Sequence, residues 1–140
     1  MTEAKFEKIT HTDALLYGPP KLLLCGFPKN AQSKFKSLVA TAGLAGIPLV
    51  WVTKDRSSEI LSELLKLPDC TGQGASSDLP RAIIVSGIQE KQLHSLMALC
   101  RKTGMPQALW AVLTPISEKW TLQALLSELR AERRAMQRKR

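Results

Sequence analysis

Cys25 stands at the end of the apolar run Leu22-Leu23-Leu24 and directly before Gly26-Phe27-Pro28, where a helical pattern begins. A thiol at a helix N-terminus gives up its proton more readily, so Cys25 is the natural nucleophile if the chain carries one. A cysteine nucleophile needs a base, and only His11 and His94 are available. His11 lies in the stretch ahead of the first apolar run, and His94 falls on the polar side of a helical pattern with Ala98 and Arg101. An inert, buried Cys25 is therefore the expectation, and an enzyme using it is the lesser alternative. Cys25, Cys70 and Cys100 are odd in number, far apart and free of any Cys-x-x-Cys pair. Neither a disulfide framework nor a zinc site follows, and no metal or cofactor is expected.

Two glycine turns are the candidate ligand loops. Gly26-Phe27, with Lys29 and Asn30 close behind, follows the first apolar run, and Gly87, with Lys91 behind it, follows a later one. Turns of this kind can aim backbone N–H groups at an anion. Neither is a Gly-x-Gly-x-x-Gly or P-loop sequence, so tight turning is favoured over phosphate cradling. Thr53 and Thr114 end two strand-like runs, where hydroxyls usually bond the next turn, and Ser117 reads as the N-cap of a following helix.

The other candidate is basic. Of a net charge of +8, five units lie in residues 130–140, where Arg130, Arg133, Arg134, Arg138, Lys139 and Arg140 face Glu132 alone. A solvated helix end explains such a run, and a phosphate-contacting arm for DNA or RNA is the alternative. No aromatic interleaving accompanies it. An anionic membrane surface is not favoured, because Ala131, Ala135 and Met136 offer little apolar face.

These groups must be positioned by alternating strands and helices. Leu22–Cys25, Leu49–Val52, Ala82–Val85 and Ala108–Leu113 are continuous apolar runs, the pattern of strands covered on both faces. Phe35, Leu38, Val39 and Ala42 repeat at helical spacing, as do Leu93, Leu96, Met97 and Cys100. Gly43 and Gly104 close these two patterns, Ile60–Leu65 marks a third helix, and Leu122, Leu125, Leu126, Leu129 and Met136 mark a fourth, longer one that Arg130, Arg133 and Arg134 continue. Residues 1–20, ending in Gly18-Pro19-Pro20, read as a leader, and Pro68–Pro80 as a flexible linker. Adding 61 to first-half numbers aligns residues 21–67 with 82–128 without a gap, and Gly26, Leu38, Gly43, Thr53, Leu61, Leu64 and Leu65 meet identical residues. These are strand ends, helix ends and helix stripes, so duplication of a βαβα unit is favoured over chance.

The second half also carries a resemblance. Ala111-Val112-Leu113-Thr114-Pro115, followed by Trp120-Thr121-Leu122, Leu125-Leu126, Leu129 and Glu132, resembles a small bacterial domain known only as a domain of unknown function, over about residues 81–132. In that family an Ala-Val-Leu-Thr-Pro strand end precedes an Asn-x-x-Trp helix start and a leucine stripe. Trp110 stands where the family usually has lysine, and Ile116 or Ser117 where it has asparagine. The resemblance implies the fold and a bacterial source, and no reaction.

The sequence thus predicts an α/β domain over residues 21–129: a mostly parallel four-stranded sheet of two repeats, covered by helices, with a basic extension at 130–140. No apolar run approaches a membrane span, and the expectation is a cytoplasmic protein. Duplication makes a monomer the expected state, as a fusion of two subunits. The expected function is a non-catalytic binding or regulatory module for a protein or small anionic ligand, with nucleic-acid association through the basic tail as the rival. If the repeats join through their first strands, the Gly26 and Gly87 loops are expected to flank one crevice beyond the strand ends.

Overall fold

Continuous apolar runs have no water-facing side, so each strand must be roofed above and below. A computed structural model describes residues 14–138 and shows that arrangement. The strands are β1 (Lys21–Cys25), β2 (Leu49–Val52), β3 (Ala82–Ser86) and β4 (Leu109–Val112). The helices are α1 (Lys29–Val39), α2 (Leu61–Leu64), α3 (Glu90–Lys102) and α4 (Leu122–Arg138). Every residue of β1, β2 and β3 is buried. Helices α1 and α3 pack on the face that carries Leu22, Leu24, Trp51, Ile83 and Val85. Helices α2 and α4 cover the opposite face, with Leu23, Val50, Ala82 and Ile84. Period-two strand geometry divides the side chains between the two layers in this way.

The sheet is mixed. Its order is β2-β1-β3-β4, with β1 parallel to β2, β3 parallel to β4, and β1 antiparallel to β3. The sequence predicts a mostly parallel sheet, and the central β1–β3 pairing departs from that by reversing direction. The halves do join through their first strands, centred where Leu23 lies opposite Ile84. In that register Lys21 faces Ser86 and Cys25 faces Ala82, so the carboxyl ends of β1 and β3 point in opposite directions. The Gly26 and Gly87 loops therefore sit at opposite ends of the sheet, and the shared crevice expected between them does not form.

Each loop is instead filled by the chain leading into the other half. Gly26 has φ +75°, and a Cβ there would lie 2.5 Å from Leu79 O; Gly87 has φ +67°, and its Cβ would lie 2.4 Å from Gly18 O. The Gly26 N–H is donated to Ser77 Oγ and the Gly87 N–H to Tyr17 O. Both turns thus need glycine for backbone conformation and for close approach together. A single antiparallel bridge, Ile60 opposite Thr121, ties the far ends of the halves, with Leu61 N–H donated to Trp120 O and Leu122 N–H to Glu59 O.

The segment expected to be a loose linker is pinned. Leu49 N–H is donated to Asp69 Oδ1, Gln32 Nε2 to Ala75 O, and Gly74 N–H back to Gln32 Oε1. Buried Lys21 donates its ammonium to Leu65 O and Leu67 O, carbonyls of the turn that follows α2. Ser117 caps no long helix: with Thr114 it closes one 3₁₀ turn, Ser117–Lys119, and Thr121 Oγ1 accepts the Ala124 N–H at the start of α4. No helix among the described residues is long and apolar enough to cross a membrane.

Gly26→Ala and Gly87→Ala should each destabilise the domain by more than about 2 kcal/mol, since a left-handed backbone and an overpacked contact add. Urea denaturation midpoints check this, with Gly46→Ala, where a Cβ meets nothing within 4 Å, as the comparison that loses less.

Candidate functional site

The end of the sheet where β1 finishes and β3 and β4 begin carries the clefts. One, of about 560 Å³, runs along the start of β4 with α3 on one side and α4 on the other. Its floor is Ala108, Leu109 and Trp110. Met97 on α3, Met105 in the loop and Met136 on α4 line it, three of the chain's four methionines. Methionine is unbranched and polarisable and adapts to irregular apolar partners. Arg101 and Arg133 supply cations and Glu132 the one carboxylate in its wall.

Two smaller clefts adjoin it. One of about 300 Å³ shares Met105 and Pro106 with the first and is lined by Phe27, Asn30, Lys34 and Arg81. The other, about 250 Å³, shares Gln107, Leu109 and Arg133 and gathers Arg81, Arg130 and Arg134. Arg81 is common to both smaller clefts. Its guanidinium carbon lies 4.4 Å from the centre of the Phe27 ring, a cation–π contact, and its Nε donates to Gly26 O at 3.1 Å. Behind Phe27, the rings of Phe35 and Trp51 complete an aromatic cluster at centroid distances of 4.9–6.3 Å. Arg81 Nη1 is buried and has no hydrogen-bond partner among the described residues. Burial lowers the Arg81 guanidinium below its ordinary range while Cys100 raises it; burial pushes the Cys100 thiol up, and Arg81 opposes that.

The residues singled out from sequence divide accordingly. Phe27 and Asn30 do line a cleft, the one at Arg81, while Lys29 spends its backbone N–H on Ser76 Oγ. Gly87 and Lys91 belong to the far end of the sheet. Arg130, Arg133 and Arg134 lie on α4 and line the clefts, and Arg133 Nη2 donates to Ala108 O at 2.9 Å. Arg138 ends α4, whereas Lys139, Arg140 and His11 lie outside the described residues. No motif spacing ties residues 81, 97, 105 and 133 together, so the meeting of Arg81, Arg101 and the methionines leaves no mark on the sequence.

The alternative of Cys25 as a nucleophile meets a physical obstacle. The residue is fully buried, and burial pushes its thiol up to about 12. An activated thiolate needs the opposite shift. His94 lies on α3, on the sheet face that carries Leu22 and Leu24, whereas Cys25 faces α2 and α4. Thr53 donates its hydroxyl to Asp55, holding that carboxyl below its usual range, and so serves the turn.

Residues 81–136 match DUF3783, a domain of unknown function. The DUF3783 stretch runs from Arg81 to Met136 and contains β3, α3, β4 and nearly all of α4. Every named residue of the 560 Å³ cleft falls inside it. Comparison with curated proteins and with solved structures finds no match.

Iodoacetamide at neutral pH should modify exposed Cys70 first, with buried Cys25 and Cys100 modified only in denaturant. Peptide mass mapping over time checks the order, and early loss of Cys25 would restore it as a nucleophile.

Proposed function

We propose that the chain is a non-catalytic binding module whose ligand is anionic and partly apolar, seated in the cleft between α3, β4 and α4. One observation carries this: a single open cleft joins three methionine side chains to Arg101 and Arg133, with two further arginine-lined clefts opening beside it. Pockets of 300–1,000 Å³ that pair apolar walls with a few placed polar groups are the usual form of a ligand site. Guanidinium groups are suited to carboxylates and phosphates because their planar forks match both.

The reading extends to the origin and setting of the fold. The halves are taken as copies of one βαβα unit: β1 shifted by 61 falls on β3, and the Ile60–Thr121 bridge joins equivalent positions. Three free thiols support a cytoplasmic setting, and the fused halves support a monomer. A second reading, nucleic-acid association, is favoured by the meeting of Arg81, Arg130, Arg133 and Arg134 at one cleft. It requires duplex binding that weakens steeply with salt and vanishes in Arg130→Glu/Arg134→Glu.

An apolar anion such as anilinonaphthalene sulfonate tests the main reading. With ¹³C-methyl methionine, titration should shift the Met97, Met105 and Met136 signals together, and Arg101→Ala/Arg133→Ala should weaken binding about tenfold. Dye binding that leaves these three signals unmoved would refute the site.

A further inference from the structure

The two edges of the sheet are treated differently by the chain. On β2, the outward-facing groups are occupied: Cys70 N–H is donated to Leu49 O at 2.8 Å, and Trp51 N–H to Thr71 O at 2.8 Å. Gly72 presses so closely that a Cβ there would meet Trp51 O at 2.0 Å. Residues 69–72 thus serve as a short edge cover, the usual protection of an exposed strand.

Trp110 and Val112 hold the corresponding register on β4, opposite Ile83 and Val85 as Leu49 and Trp51 lie opposite Leu22 and Leu24. Leu109 N–H is donated to Arg81 O and Leu113 N–H to Val85 O, both at 2.9 Å, so odd-numbered residues turn their main-chain groups inward. Trp110 and Val112 therefore turn theirs outward, and nothing among the described residues bonds to them. Where β2 has its cover, the chain after β4 has become the long helix α4. Only the first outward carbonyl, that of Ala108, is taken, by Arg133. Val112 is 37% exposed, in a strand whose sequence is Leu-Trp-Ala-Val.

We infer that β4 receives an extended segment of another protein as a fifth strand, its acidic side chains meeting Arg101 and Arg133 and its apolar ones meeting Met97, Met105 and Met136. This deepens the binding-module reading and rests on it. Main-chain pairing would supply affinity, and the α3 and α4 walls would select the side chains. Charge decides the occupant. Arg101, Arg130, Arg133 and Arg134 rim this edge against Glu132, so a second copy paired edge to edge would bring like charges together, whereas an acidic segment neutralises them.

The test uses the full chain and a small pool of blocked peptides built on Glu-Glu-Val-Val repeats, with Leu or Tyr replacing Val in some, so that each face of the added strand carries both acidic and apolar side chains. Saturating peptide should slow amide exchange at Trp110 and Val112 by about tenfold or more. Methylating the peptide's edge-facing amides should abolish binding, as should Val112→Pro, a change an edge position tolerates because the lost N–H faces outward. Both changes should leave anilinonaphthalene sulfonate binding intact. Equal binding of the methylated peptide, or dye binding without peptide binding, overturns strand addition while the cleft reading stands. Failure of dye and peptide alike overturns both. A dimer by light scattering with the two amides already protected, or binding of a short DNA duplex in place of the peptide, also overturns the inference.

Discussion

The pairing of β1 with β3 is the constraint on which the molecule turns. Ten residues, none of them appreciably exposed, meet in five antiparallel pairs from Lys21–Ser86 to Cys25–Ala82. A buried backbone must satisfy its hydrogen bonds internally, so neither strand can slip or separate without stranding several at once. A slip of one residue would also exchange the side chains of the two core layers. That one ladder sends β1 and β3 in opposite directions, which parts the two glycine turns and gathers Phe27, Arg81 and the start of β4 at one end.

Electrostatics at that end follow from placement more than from net charge. Arg81 is held by the Phe27 face and the Gly26 carbonyl, and Arg133 by the Ala108 carbonyl. Fixing a guanidinium in advance removes the ordering cost that a free side chain bears when it meets a carboxylate. The methionines opposite leave shape undetermined while keeping the surface apolar, a combination suited to a ligand defined by charge and hydrophobicity more than by outline.

Much of the scaffold was legible in the residues. The four apolar runs became strands and the helical stripes became α1, α2, α3 and α4, because burial on both faces and 3.6-residue periodicity leave direct marks on sequence. Strand order and direction left no such mark: Leu22-Leu23-Leu24 reads the same beside a parallel or an antiparallel neighbour. The pinning of residues 68–80 was hidden for a related reason, since its hydrogen bonds reach back to Leu49, Trp51 and Gln32. Phe27 and Asn30 share a cleft with Arg81 and not with Gly87, a pairing that no sequence spacing marks. Arg133 looked like part of a solvated tail because its partner, Ala108 O, is 25 positions away.

The reciprocal clasp of the two glycine turns bears on what the DUF3783 stretch is as a physical object. Gly87 is held by residues 17–20, which precede β1, and β3 is completed along one side by β1 itself; both lie outside residues 81–136. Excised, that stretch would expose an unpaired inner strand and half of each core layer. It is one leaf of a two-leaved hinge and closes only against another leaf. In this chain the residues that close it, 17–20 and β1, come from outside that stretch.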